Sequence, residues 1–265
     1  MNATARLTAL TRLGFAARGI LYIVIAMLLL RAGQSEDPSG ALDYLAKGGG
    51  RLLMIAIAAG FVAYGIWRLS DAIFNIEGHP AGKKGGRQRI GAAASGIVHL
   101  VLAWQSVRLI RGSGKAASGG AQEDAQAVLE LPGGWIALVL TGLILIGVGA
   151  YQILKARKAD FLDRLEPQVS HDPRVKWAGR IGYAARGLIF LVCGYFVAKA
   201  GVNGRAGEAA GMEEALSWLD RPWDMLVAIG LLAFGAYCLI EARYRIIHGV
   251  PVGAIARGRV RPQLH

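Results

Sequence analysis

The sequence predicts an all-α, polytopic membrane protein: six transmembrane helices arranged as three tandem hairpins with pseudo-threefold symmetry about the membrane normal. Three observations predict it. The 265 residues are 54% hydrophobic and only 18% charged, with a mean hydropathy of +0.40, whereas a soluble domain carries about 25% charge. Six apolar stretches each come near the ~20 residues that a hydrocarbon layer of about 30 Å demands. A phrase also recurs three times, as "RLGFAARGILYI" at 12–23, "RIGAAASGIVHL" at 89–100 and "RIGYAARGLIFL" at 180–191.

Each phrase opens a long apolar run, and a second run follows it. "GFVAYGIWRLSDA" (60–72) aligns without a gap on "GLLAFGAYCLIEA" (230–242), and "ILIGVGAYQILKA" (144–156) fits the same frame more loosely. The expected spans are 13–31, 52–73, 90–110, 135–156, 181–199 and 223–243. They form a single membrane domain, 1–265, with repeat one at 12–76, repeat two at 89–165 and repeat three at 180–247. The stretches 77–88 and 157–178 are cytoplasmic linkers. A cleaved signal peptide is the competing reading of the N-terminus; it fails because no small-residue cleavage site follows Leu30 and the same segment returns downstream as an internal helix.

Six spans put both termini on one side of the membrane. With Arg18 and Arg186 set aside, nineteen Lys and Arg lie on the side of the termini against nine on the other, which places both termini in the cytoplasm of a multi-pass cell-membrane protein. The net charge of +12 would suggest nucleic acid in a soluble chain. Here its expected partners are the bilayer and anionic headgroups on the cytoplasmic side, with no nucleic acid. The opposite loops repeat "ALDYL" (41–45), "AVLEL" (127–131) and "ALSWL" (215–219), read as short amphipathic helices at the outer surface.

The stretches "AVLELPGGWIALVLTGLILIGVGAYQILKARKADFLDRL", "AARGLIF" and "GLLAFGAYCLIEARYRII" resemble domain-of-unknown-function family 1206, a family of bacterial membrane proteins. The resemblance covers nearly the whole chain. It implies six helices in three tandem pairs and a bacterial inner membrane, and it supplies no activity and no site residues. The middle copy departs from the "AARG" phrase, with Ser95 in the arginine's place.

Arg18 and Arg186 are the charges that matter, since each lies inside a span where an isolated cation costs about 3 kcal/mol or more. Helical side chains tilt toward the helix N-terminus, so both are expected to run back along grooves floored by Gly14 and Gly182; Gly91 is the middle counterpart. A partner is required, and one aligned position on the second helices supplies Asp71 and Glu241. In the middle copy that position is Lys155, where the arginine is Ser95. The expectation is two intramembrane charge pairs, Arg18 with Asp71 and Arg186 with Glu241, within hairpins or across their boundary.

Other signals are weaker. His99 is the histidine inside a span, but its counterparts are Tyr22 and Phe190, so it reads as a polar core residue that packs like an aromatic. No second ligand stands three or four residues away, so no metal and no cofactor are expected. "GHPAGKKGGRQR" (78–89) departs from a phosphate-binding loop, because Lys84 occupies the slot for a magnesium-holding hydroxyl. Cys193 and Cys238 read as small core residues at different depths. Phe161, Leu162 and Leu165 mark a segment expected to lie along the interface. Glycines five apart in every span offer small patches to two neighbouring helices rather than one.

No nucleophile stands with a base and no carboxylates are paired at catalytic spacing, so an enzyme is not expected. The leading reading is a small transport or permeation protein using its intramembrane arginines. The alternative is a lipid-binding or accessory scaffold membrane protein without flux.

Overall fold

The structure, a computed structural model, describes residues 3–33, 35–48, 50–80, 82–112 and 120–246. The basic C-terminal tail and residue 247, the predicted end of repeat three, lie outside the described residues. Every regular element among the described residues is helical: α1 (Ala3–Met27), α2 (Pro38–Gly48), α3 (Gly50–Phe74), α4 (Lys83–Ile110), α5 (Ala121–Leu129), α6 (Gly134–Lys158), α7 (Pro167–Ser170), α8 (Pro173–Asn203), α9 (Met212–Trp218) and α10 (Trp223–Tyr244).

Six of these, within the described residues, are long and apolar enough to cross a membrane: Thr11–Arg31, Arg51–Phe74, Gly85–Ile110, Gly134–Lys158, Pro173–Asn203 and Trp223–Tyr244. They contain the expected spans, and the largest difference is α8, which starts well before residue 181. Asp172 accepts a hydrogen bond from the Arg174 backbone N–H and Pro173 occupies the first turn, a start that pre-sets the helix without wasting a donor. The three outer-loop phrases fall in or at the ends of α2, α5 and α9.

The described residues form two compact units, one drawn from Met1–Arg18, Tyr44–Ala116 and Leu239–His265, the other from Gly19–Asp43 and Ala117–Cys238. This grouping follows glycine contacts rather than the sequence repeats. In the first unit, a Cβ on Gly65 of α3 would stand 3.0 Å from the Gly96 carbonyl of α4, and one on Gly96 would stand 3.0 Å from the Gly65 carbonyl. In the second, Gly149 of α6 meets Gly187 of α8 in the same reciprocal way, at 2.7 and 2.9 Å, and a Cβ on Gly235 of α10 would stand 2.8 Å from the Gly19 carbonyl of α1. Each is a contact of backbone on backbone that any side chain would prop open.

In α1, α3, α8 and α10 the glycine five residues away serves a different neighbour, whereas Gly147 of α6 meets nothing within 4 Å. Gly60 of α3 faces Leu13 and Ala17 of α1, Gly182 of α8 faces the Phe234 backbone, and Gly230 of α10 faces Ala185. Gly14 is packed against Gly60 and Tyr64, so it is filled by a neighbouring helix and does not floor a groove for an arginine stem. The same correction holds for Gly182. Gly91 has nothing within 4 Å of its would-be Cβ.

The 157–178 segment also differs from its expected interfacial position. Phe161 and Leu165 are buried, and Phe161 stacks near Tyr183 and Tyr237 at 5.2 and 5.1 Å between ring centroids. Gly179 makes this possible, because any side chain there would collide with the Phe161 ring. Cys193 and Cys238 are both buried and are not joined in a disulfide. Exposed apolar residues form lipid-type faces, as in Ile181, Leu188 and Tyr195 on α8, seven residues apart and hence on one stripe.

Near the start of α9, partial desolvation followed by the charges of Glu214, Glu36 and Asp37 raises the Glu213 pKa. The fold therefore holds that proton more tightly than the unfolded chain, and its stabilising effect is present at acid pH and is lost as pH rises out of the ordinary carboxylate range. Glu213→Gln is expected to flatten the rise in melting temperature toward acid pH, measured in detergent from neutral pH down to about 4. A second expectation concerns packing. Gly142→Ala places a Cβ 2.5 Å from the Ala198 amide nitrogen and should destabilise by about 1–3 kcal/mol, whereas Gly147→Ala, with nothing within 4 Å, should be neutral or slightly stabilising in the same melting assay.

Candidate functional site

Arg18 is 8% exposed. Its Nη1 donates to the Tyr64 hydroxyl at 2.9 Å and its Nη2 to Glu241 Oε2 at 2.9 Å. Its guanidinium carbon also lies 5.3 Å from the ring centroids of both Phe15 and Tyr64, so an aromatic wall covers the side that the carboxylate leaves open.

From that pair a chain of alternating charge runs through the first unit. Glu241 Oε1 accepts from Arg245 Nη1, and Arg245 Nη2 donates to Glu77 Oε1 at 2.6 Å. Arg68 Nη1 lies 3.9 Å from Glu77 Oε2 and 3.5 Å from Asp71 Oδ2. Asp71 Oδ2 ends the chain at His79 Nε2, 3.0 Å away. Three guanidinium and three carboxylate groups alternate, so their formal charges cancel before His79 is counted. Phe15, Tyr64 and Trp67 form the apolar cluster beneath them.

Local structure explains the far end of the chain. Asn75 adopts a left-handed backbone, φ 51, which asparagine tolerates. Its side chain accepts from the His79 N–H at 2.7 Å and donates to the His79 carbonyl at 3.0 Å. The Glu77 N–H donates to Asp71 Oδ1 at 2.8 Å. The loop after α3 is thereby folded back on Asp71.

The pairs are not those expected from the sequence. Glu241 takes Arg18, and Asp71 takes His79, Arg68 and the Glu77 backbone. The reason is register. Six residues beyond the contacting glycine, the second spans carry Asp71, Lys155 and Glu241; one residue before it, the facing first spans carry Ser95, Arg186 and Arg18. The α10–α1 contact joins Glu241 to Arg18. At the α3–α4 contact the same positions hold Asp71 and Ser95, which carries no charge. At the α6–α8 contact the same positions hold Lys155 and Arg186, two cations.

These two cations, in the second unit, are held by aromatic rings. Lys155 Nζ donates to the Tyr183 hydroxyl at 3.0 Å and lies 4.2 Å from its ring centroid. The Arg186 guanidinium carbon lies 4.6, 5.2 and 5.3 Å from the rings of Phe234, Tyr22 and Phe190. Among the described residues no carboxylate and no hydrogen-bond acceptor meets Arg186, and its Nε is buried without one. Arg186 stands about 140° around α8 from Ile181 on the lipid-type stripe, at 3.6 residues per turn, yet the residue is partly exposed.

His99 Nδ1 bonds the Ser95 carbonyl at 2.7 Å and its ring lies 4.4 Å from that of Tyr64. Asp71, Glu77 and His79 each present a ligand atom, all within 4.8 Å of one another. A divalent cation there would have to displace Arg68 and Arg245, which already lie on the same carboxylates. Sequence reasoning missed Tyr64, Arg68, Glu77, His79 and Arg245. Only Arg68, three residues before Asp71, carried a local signal.

The chain matches the profile of the family described as Domain of Unknown Function (DUF1206) over residues 13–75, 90–159 and 181–245. It is 31% identical over 249 residues to the uncharacterized protein YxxB of Bacillus subtilis (strain 168), covering 88% of this chain and 90% of that protein. No solved structure matches.

Double substitution distinguishes the observed pairing from the expected one. Glu241→Met alone leaves Arg18 buried and should cost about 3–5 kcal/mol, while Arg18→Met with Glu241→Met should restore most of it. Arg18→Met with Asp71→Asn should show no such recovery in chemical or thermal unfolding of the detergent-solubilised protein.

Proposed function

Because the chain belongs to the DUF1206 family, whose description carries no activity, we propose its function from the chemistry of its own spans. It is a small, non-enzymatic membrane protein that binds and passes an anionic solute, with Arg186 as the solute-facing cation and Arg18 as a structural one. The observation that carries this reading is the asymmetry between the two arginines. Arg18 is neutralised by Glu241 and enclosed. Arg186 has aromatic rings around it, no carboxylate among the described residues, and partial exposure on the face of α8 turned from the lipid-type stripe. A guanidinium held ready in a weakly polar surround favours carboxylate or phosphate oxygens.

The wider arrangement belongs to the same proposal. The three hairpins are related by a pseudo-threefold axis along the membrane normal, a reading supported by the recurrence of one glycine contact at equivalent positions. Both termini are cytoplasmic, which the excess of basic residues on that side supports. Anionic headgroups meet the basic loop around Arg87 and Arg89.

A scaffold without flux is the second reading, and the closed chain from Arg18 to His79 favours it, since that chain joins parts of α1, α3 and α10 with every charge answered. Proteoliposomes separate the two. Uptake of phosphate, acetate or chloride by wild-type vesicles, reduced at least tenfold by Arg186→Met with protein content unchanged, is the expected result. Vesicles that stay sealed to the whole anion panel would leave the scaffold reading in its place.

A further inference from the structure

A cavity of about 350 Å³ opens where the end of α8 meets α5, α9 and the turn Ala206–Glu208. Small-molecule sites occupy roughly 300–1,000 Å³. All of its lining residues belong to the second unit. Phe196, which lines it, stands ten residues along α8 from Arg186, about 15 Å at the helical rise, so the cavity is independent of the anion reading of Arg186. One wall is aromatic. Phe196 and Trp218 of α9 meet edge to face, 5.5 Å between centroids at 77°, an arrangement that holds both rings in place, and Trp218 is still 60% exposed.

The charges in the lining are unevenly answered. Glu208 accepts from Asn203 Nδ2 at 2.7 Å and lies 3.5 Å from Lys199 Nζ and 3.6 Å from Arg205 Nη1. Glu214 accepts the Gly211 N–H on Oε2 at 2.8 Å; among the described residues no cation pairs with it and its Oε1 accepts no hydrogen bond. Glu208 and Glu214 against Lys199 leave the lining one negative charge in excess. Beside the cavity, partial desolvation followed by the charges of Glu214, Glu36 and Asp37 raises the Glu213 pKa. The start of α9 is therefore a place of negative potential, which a cleft concentrates.

We propose that this cavity binds an organic ammonium group, with Glu214 as its counter-ion and Trp218 and Phe196 against its carbon substituents. The class follows from the mixture of groups. A bare metal ion needs several oxygens converging on it, whereas here one open carboxylate oxygen stands among aromatic rings and the small residues Ala209 and Ala210. A substituted ammonium carries charge for the carboxylate and apolar surface for the rings, and its charge is itself attracted to their faces. Free choline and the choline headgroup of a lipid share this chemistry.

The test uses the full chain purified in a maltoside detergent, in a buffer free of organic amines. Choline, short-chain phosphatidylcholine, potassium ion and dimethylbutanol, the uncharged isostere of choline, are titrated separately by calorimetry. The expected result is that one or both choline compounds bind at least tenfold tighter than potassium and than the uncharged alcohol. The compound that binds tighter identifies the source. Glu214→Gln, which keeps an oxygen for the Gly211 N–H, and Trp218→Leu, at an exposed position, should each weaken binding at least fivefold while the melting temperature stays close to that of wild type. Lys199→Gln should tighten binding, because it removes a like charge from the lining, an effect that a purely structural role for these residues does not produce. The proposal is overturned if neither choline compound binds wild type, if the uncharged alcohol binds as tightly, or if Glu214→Gln leaves the affinity unchanged.

Discussion

A guanidinium on a long apolar helix needs a partner, and in this protein the glycine contacts decide what it meets. Two helices that touch through glycine backbones have their rotation and offset set to within a residue, because a shift would drive a Cβ into a carbonyl. Residues at fixed distances from the glycines then face each other whatever their chemistry. At one such contact evolution has placed Glu241 and Arg18, which neutralise each other. At a second it has placed Asp71 and Ser95, and the unmatched acid is taken up by a histidine and an arginine. At the third it has placed Lys155 and Arg186, and the two turn to aromatic rings. The same backbone geometry thus carries an ion pair at one contact, an acid that turns to other partners at a second and two cations set against aromatic rings at the third.

The buried charges of the first unit are held as a set. Three arginines and three carboxylates alternate along a line, so that every carboxylate faces at least one guanidinium and the formal charges of the six cancel. Such an arrangement is tolerated in low-dielectric surroundings because opposite charges lie against one another. The aromatic cluster of Phe15, Tyr64 and Trp67 shields one flank, with guanidinium groups of Arg18 and Arg245 over Phe15. The folded loop at Asn75 closes the other end by returning His79 to Asp71. One consequence is that α1, α3 and the end of α10, far apart in sequence, share a single electrostatic fate.

The sequence alone determined the elements. Hydropathy and length located the six long apolar helices of the described residues, because crossing a bilayer leaves a stretch of about 20 apolar residues that no tertiary contact can disguise. It also picked out Arg18, Arg186, Asp71, Glu241 and Lys155, since charge in an apolar run is conspicuous, and its reading of the glycines five apart as contacts to two neighbours holds in four helices but fails at Gly91 and Gly147, which meet nothing. Only the tertiary structure decided who pairs with whom. The aligned acids could be matched to arginines within a hairpin or across its boundary, and nothing in a one-dimensional pattern states which helix a given glycine will touch. Gly14 and Gly182 looked like room for a side chain and proved to be seats for another helix. Glu77, His79 and Arg245 stood in polar loops where charge is ordinary, and they acquired meaning only when the loop after α3 and the end of α10 met, because a charge network is a property of distance in space and leaves no period along the chain.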